Sequence, residues 1–212
     1  MGVVWNILCS IYHWVFEWQT LVGALLALGA AWWTIRVMRR QMKAEADRHD
    51  EATRRKRMAA RAQMPDALSE LGTYVRGCAE RLTGRVETLP AEPTPAITAL
   101  KQVIEFINDG AAARSFELVS WYQVFRARMS HDIPHQERAE FADRLYDVAL
   151  MQAYINSLYE YARNEENEVD TSKPSKEEME NALKNAFDLI HMVQNEPLYE
   201  GVKATIKRRH KH

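Results

Sequence analysis

Residues 18–38 read WQTLVGALLALGAAWWTIRVM and contain no charged residue before Arg36. A helix of this length spans about 32 Å, which matches the roughly 30 Å hydrocarbon core of a lipid bilayer. Helix is the expected form because lipid offers no hydrogen-bond partner to backbone N–H and C=O groups. We therefore predict that residues 18–38 form a transmembrane helix.

Tryptophan and arginine side chains mark the two ends of this predicted span. Tryptophan rings favour the headgroup region of a bilayer, and basic residues collect at the cytoplasmic end of a span. The predicted membrane-interface residues are Trp14, Trp18, Trp32, Trp33, Arg36, Arg39 and Arg40.

Two other interpretations of the apolar stretch are a buried core helix and a cleavable signal peptide. A core helix seldom runs this long without a charge. The positive charges of a signal peptide precede its apolar run, whereas here they follow it. Both interpretations fit the sequence less well than a transmembrane helix does.

The near-neutral total charge hides segments of opposite sign. Residues 36–61 carry ten basic and four acidic residues, and residues 62–200 carry 13 basic and 24 acidic residues. The last segment, residues 201–212, carries five basic residues and no acidic one. Because positive charges favour the cytoplasmic side of a span, we predict that Met1 lies outside and that residues 36–212 lie in the cytoplasm.

Residues 18–42, WQTLVGALLALGAAWWTIRVMRRQM, resemble the N-terminal head of a group of uncharacterised bacterial proteins. Those proteins have one membrane span, then a basic stalk and a helical body. The resemblance covers 25 of the 212 residues. It implies a location in the bacterial inner membrane, and it implies no activity and no functional residues.

Residues 1–17 form an amphipathic or apolar segment ahead of the span. Its polar residues recur at spacings of four, three and four, so a helix would carry them on one face: Asn6, Ser10, His13 and Glu17. The segment could lie in the interface, or it could extend the span with this polar stripe facing a partner or water. An apolar lead-in that tucks into the outer leaflet is an equal alternative.

Small residues recur every four positions within the span, at Gly23, Ala27 and Ala31. Small side chains allow two transmembrane helices to approach closely. This face is therefore a candidate helix-pairing surface through which the protein would form a homo-oligomer.

The remainder of the chain has helical patterning throughout. Residues 39–63 are rich in helix formers without a sustained apolar stripe, which predicts a basic helical stalk. Residues 64–200 show apolar residues at three- and four-residue spacing, which predicts an acidic bundle of about five to six helices. No segment alternates like a strand, so the predicted class is all-α, with residues 201–212 as a basic tail.

Several boundaries of the predicted helices rest on single residues. Pro65 and Pro134 are predicted to begin helices. Helices are predicted to end at three places, which are Gly84, the run Asn108, Asp109 and Gly110, and the pair Asn195 and Pro197. Loops are predicted at residues 88–95 and 163–174. The next helix is predicted to begin with a capping box formed by Ser175 and Glu178 and to run to Val193.

Motifs for chemistry are few in this sequence. His131, Asp132 and His135 resemble a metal site, but Pro134 between the histidines favours a solvated loop. The sequence has no Gly-rich phosphate loop and no G-x-S-x-G motif. Cys78 lies on an apolar helix face, which predicts a buried thiol in a reducing compartment. We predict no enzyme activity, no cofactor and no metal.

We predict no nucleic-acid partner, although residues 54–57 are all basic. A positive-inside signal explains these charges, and the acidic body that follows would repel phosphate. The basic C-terminal tail could contact anionic lipid, the acidic body or an acidic partner.

The leading hypothesis is a single-pass inner-membrane protein that presents a cytoplasmic helical module for interaction or scaffolding. Its expected partners are the lipid bilayer, a second copy through the transmembrane helix and a protein that the sequence does not identify; no small-molecule substrate is expected. The alternative is an oligomeric membrane effector or channel-like assembly, in which the polar stripe would line the interior. An enzyme with an unrecognised site is a third possibility.

Overall fold

The computed structural model describes residues 2–131, 138–187 and 196–210. Within these residues every regular element is an α-helix, which confirms the all-α class. The helices are α1 (Gly2–Leu82), α2 (Thr94–Val103), α3 (Asp109–Met129), α4 (Arg138–Ala162), α5 (Lys176–Ala186) and α6 (Glu196–Arg209).

The chain divides into two compact units, an N-terminal unit (Met1–Arg54) and a C-terminal unit (Arg55–His212). The described part of the N-terminal unit is helical throughout. In the C-terminal unit, α4 packs against α3, α5 and α6, and α2 packs against α3. The hydrophobic core therefore lies in the C-terminal unit, with α4 as its central element.

The last part of α1 contributes one apolar face to this core. Met64, Leu68, Leu71 and Val75 are fully buried, and Cys78 is nearly so. These residues follow one another at spacings of four, three, four and three, the periodicity of a single helix face. The predicted apolar face and the buried position of Cys78 are confirmed.

The predicted helix start at Pro65 is wrong, because Pro65 lies inside α1. Proline lacks an N–H and its ring crowds the carbonyl four residues earlier, which costs about 3 kcal/mol in a helix interior. The helix continues through this position because strong helix formers precede Pro65 and because Met64 and Leu68 on either side of it are buried in the core.

The predicted end of α1 near Gly84 is confirmed by the hydrogen bonds there. Gly84 has a φ of 74°, in the left-handed region where glycine is unstrained. The Gly84 N–H donates to the Arg81 carbonyl at 3.0 Å, and the Arg85 N–H donates to the Glu80 carbonyl at 2.9 Å. This pair of bonds is the Schellman motif, which satisfies carbonyls that a helix end leaves without partners.

One predicted helix end is wrong because the residue begins a helix instead. The Asn108 side chain accepts a hydrogen bond from the Ala111 N–H at 3.0 Å and caps α3, while α2 ends at Val103. Asparagine favours such an N-cap over a helix end. Pro197 is the second residue of α6, where its missing N–H costs nothing, whereas Asn195 and the end of the preceding helix lie outside the described residues.

The predicted capping box at the start of α5 is confirmed. The Glu178 N–H donates to Ser175 Oγ at 3.2 Å, and the Ser175 N–H donates to Glu178 Oε2 at 2.6 Å. α5 ends at Ala186, before the predicted end at Val193, because Phe187 is extended. Val193 and the predicted helix start at Pro134 lie outside the described residues.

Candidate membrane-interface site

The apolar part of α1 presents large hydrophobic side chains to its surroundings. Leu25, Leu26 and Leu28 are 61%, 70% and 67% exposed, and Trp32 and Trp33 are exposed to a similar degree. Within the described residues, α1 alone has a stretch long and apolar enough to cross a membrane, judged by length and composition, and that stretch begins at Trp18. Water-soluble monomers rarely expose contiguous apolar surface of this extent.

Aromatic side chains lie at both ends of this apolar stretch. The rings of Trp14 and Trp18 are 5.5 Å apart, one helical turn from each other, and both side chains are exposed. At the other end, the guanidinium carbon of Arg36 lies 5.2 Å from the centre of the Trp32 ring. An arginine held over an indole face gains a cation–π contact while its N–H groups remain available.

Basic side chains surround the Trp32–Arg36 pair on one face of α1. They border a surface concavity of 370 Å³ lined by Trp32, Ile35, Arg36, Arg39, Arg40 and Lys43. The structure thus brings the predicted Arg36, Arg39 and Arg40 together and adds Lys43, which sequence reasoning missed. The signal for Lys43 was its position seven residues after Arg36, which returns a helix to the same face.

The predicted helix-pairing residues lie on the exposed surface of the apolar stretch. Gly23, Ala27 and Ala31 are all exposed, and a Cβ added to Gly23 would meet no atom within 4 Å. The fold of the chain itself therefore does not require glycine at this position. The helix surface around Gly23 is open to a second helix.

Other predicted site residues fall partly outside the described structure. His13 of the polar stripe is exposed, whereas the side chains of Asn6, Ser10 and Glu17 lie outside the described part. In the metal-like cluster, His131 Nδ1 lies 2.8 Å from the Ala127 carbonyl oxygen, and Asp132 and His135 are not described. Among the described residues, no three potential ligands are grouped as a metal site.

A buried arginine, Arg61, joins α1 to the end of α4. Arg61 is 9% exposed, and its Nε and Nη2 donate to the Tyr161 carbonyl at 3.0 and 2.5 Å. Nη2 also donates to the Glu166 carbonyl at 2.7 Å, and the guanidinium lies 4.0 Å from the centre of the Tyr161 ring. Because the carbonyl end of a helix is electronegative, a cation placed there stabilises α4.

A second buried arginine, Arg114, holds the loop between α4 and α5. Arg114 is 2% exposed, and its Nη2 donates to the Asp170 and Ser172 carbonyls at 2.6 and 2.5 Å. Its Nη1 donates to Glu117 Oε2 at 2.9 Å. We call Arg61 and Arg114 the arginine clamp; sequence reasoning missed both, although Arg61 precedes the buried Met64 by three residues.

The basic C-terminal residues contact α4. Arg209 donates to Asp143 Oδ1 at 2.6 Å, and its guanidinium lies 4.3 Å from the centre of the Tyr146 ring. The Tyr146 hydroxyl lies 3.0 Å from His210 Nε2. Anionic lipid, the acidic body and an acidic partner were the three predicted contacts of the tail. The structure shows Arg209 and His210 in contact with the body of the protein.

Cys78 and Asp147 are among the core groups whose pKa values lie above their ordinary ranges. Burial raises the pKa of the Cys78 thiol to about 12, whereas a hydrogen bond with Tyr74 and the charge of Arg81 act in the opposite direction. Such a thiol stays protonated and unreactive at neutral pH. Burial also raises the pKa of the Asp147 carboxyl, although Arg128 donates to its Oδ2 at 2.7 Å and opposes the shift.

The raised pKa of Asp147 predicts a stability that increases on mild acidification. Because the folded carboxyl binds a proton more readily than the unfolded one, the ionised form opposes folding, and this penalty disappears as pH falls toward about 4. In thermal unfolding of the full chain in detergent, the wild type should therefore gain stability relative to Asp147→Asn between neutral pH and that value. A stability difference between the two proteins that is independent of pH, or a wild type that loses stability relative to Asp147→Asn on acidification, would contradict the assignment.

No protein-family model matches this chain, and comparisons with curated proteins and with solved structures find no match.

Proposed function

We propose that the protein is a single-pass protein of the bacterial inner membrane that presents a cytoplasmic helical bundle as an interaction or scaffolding module. The observation that carries this proposal is the exposed apolar surface of α1 from Trp18 to Ile35, which is followed directly by basic residues. Lipid would remove that surface from water, and burying one leucine side chain contributes about 1.5–3 kcal/mol.

The orientation of the proposed span follows from the distribution of charge. Residues 1–35 contain no lysine or arginine, whereas residues 36–61 contain ten. Basic residues that flank a span are retained on the cytoplasmic side. The N-terminus would therefore be outside, and the C-terminal unit would be in the cytoplasm.

The interaction role is supported by an exposed face of α3. Phe116 is 65% exposed and Val124, two turns later, is 38% exposed. Ala113 and Ala127 extend the same face, and both are exposed. An exposed aromatic ring on an acidic module suits a partner that has an apolar pocket with a basic rim.

Site-specific photocrosslinking tests this role. A photoreactive amino acid replaces Phe116 in the full chain in cells, and the matched control carries it at Lys101, an exposed residue of α2. We expect a discrete crosslinked protein from position 116 and not from position 101. Equal yields from the two positions, or no crosslinked species from either, would contradict an interaction through α3.

Self-association of the span is a second part of the proposal. Replacing both Gly23 and Ala27 with leucine should block close approach of two helices and shift the detergent-solubilised protein from oligomer to monomer. Gly29→Leu is the matched control, because Gly29 lies on another face and its added Cβ also meets no atom within 4 Å. Sedimentation in detergent gives the mass; an unchanged mass in the double variant would remove the pairing role.

A further inference from the structure

We propose that the basic face at the end of the apolar stretch binds the phosphate of an anionic phospholipid. We call it the headgroup site; it consists of Trp32, Arg36, Arg39, Arg40 and Lys43. The inference rests on the proposed membrane span and adds to it a defined lipid class and a defined set of residues.

The helix geometry gathers these side chains on one side of α1. At about 100° per residue, Trp32 and all four basic residues fall within an arc of about 100°. They border one concavity of 370 Å³, with the Arg36 guanidinium 5.2 Å from the Trp32 ring. A positive-inside signal alone requires only the number of charges and not their placement on one face.

The chemistry of the site suits a phosphodiester. Arginine presents a planar fork of N–H groups that binds two phosphate oxygens together, and Lys43 adds a compact positive charge. From Trp18 to Ala44 the sequence contains no acidic residue, and acidic residues resume at Glu45. The segment therefore carries an uncompensated positive charge that matches an anionic headgroup.

The position of the site along the proposed span favours a lipid, and not free phosphate, as the source of the phosphate. A tryptophan at the end of a span lies at the level of the headgroups. Arg36 and Arg40 follow Trp32 by one and two turns, about 6 and 12 Å along the helix axis. Their side chains thus reach the phosphate layer of the inner leaflet, and Lys43 can extend back toward it along its apolar stem.

Lipid binding by the purified full-length chain tests the inference. Native mass spectrometry measures the binding of phosphatidylglycerol and of phosphatidylcholine with the same acyl chains to protein in detergent. We expect the wild type to bind the anionic lipid about tenfold more tightly, and Arg36→Gln/Arg40→Gln to bind both lipids about equally. Arg48→Gln, which removes an exposed charge from another face of the same helix, should behave as the wild type.

Two results would overturn the headgroup site: equal binding of the two lipids by the wild type, or an anionic preference that survives in the double variant. A loss of preference in Arg48→Gln that is half as large as in the double variant, or larger, would also overturn it, because each removed charge would then count equally wherever it lies on the helix. Retention of the same proteins in membranes after alkaline carbonate is measured in parallel. Retention without lipid preference contradicts the headgroup site alone, whereas release of the wild type contradicts the proposed span.

Discussion

Replacing Leu25 and Leu28 together with arginine is expected to release the protein from membranes. Each arginine near the centre of a span costs about 2.5–3.5 kcal/mol of insertion free energy, and each lost leucine removes a further favourable contribution. The combined cost of about 6 kcal/mol exceeds what the remaining apolar residues can readily offset. The fraction retained in the membrane pellet after alkaline carbonate should fall from nearly all of the protein to a minor part.

The control for this change is Leu25→Ala/Leu28→Ala, which shortens the same side chains without adding charge. This control should remain in the pellet, because alanine is tolerated in a span of this length. If the arginine variant stays in the membrane as completely as the alanine variant, then residues 18–38 are not the part of the chain that lies in lipid.

Replacing Arg61 with alanine is expected to destabilise the C-terminal unit strongly. The change removes the Arg61 donors from the Tyr161 and Glu166 carbonyls, and the Tyr161 carbonyl then keeps only the hydrogen bond from the Asn164 N–H. Loss of these charged hydrogen bonds, of which those to Tyr161 are buried, costs about 3 kcal/mol. Arg61→Lys should recover only part of this loss, because an ammonium group cannot reach both carbonyls with a planar fork.

Thermal unfolding of the full chain in detergent measures this effect, and hydrogen exchange locates it. We expect Arg61→Ala to lower the unfolding temperature and to speed exchange at the C-terminal end of α4 and in residues 163–175. Arg57→Ala is the matched control, because Arg57 lies one turn earlier on α1 and is exposed. Equal stability of the two variants would contradict the role of the arginine clamp.

The sequence predicts those features of the fold that depend on local patterns. The all-α class follows from apolar spacing, the end of α1 from a glycine that tolerates a positive φ, and the start of α5 from a capping box. Each of these signals lies within a few residues of the structure that it specifies. Local patterns of this kind are therefore sufficient to place these elements.

The features that the sequence did not predict depend on contacts between distant residues. Pro65 has the local signature of a helix start, yet burial of the neighbouring Met64 and Leu68 in the core supports a continuous helix. Arg61 belongs to a run of basic residues in the sequence, and its burial depends on a carbonyl 100 positions away. Tertiary packing outweighs local preference at both positions.

The candidate membrane-interface site was predictable to a similar extent. Arg36, Arg39 and Arg40 follow from the charge that flanks an apolar run, whereas Lys43 is identified by its spacing of seven residues from Arg36, which places it on the same helix face. The stacking of Arg36 on Trp32 depends on side-chain conformation, which sequence spacing permits but does not specify. The protein partner has no signature in the sequence, because a single exposed phenylalanine does not define a complementary surface.

Protease accessibility in spheroplasts tests the central proposal most directly. Full-length protein carrying different epitopes at its two ends is exposed to protease added outside intact spheroplasts, and then to the same protease after lysis. The proposed topology predicts that the N-terminal epitope is lost and the C-terminal epitope is protected until lysis, with the protein in the membrane fraction throughout. Digestion of the C-terminal epitope before lysis, or recovery of the chain in the soluble fraction, would contradict it.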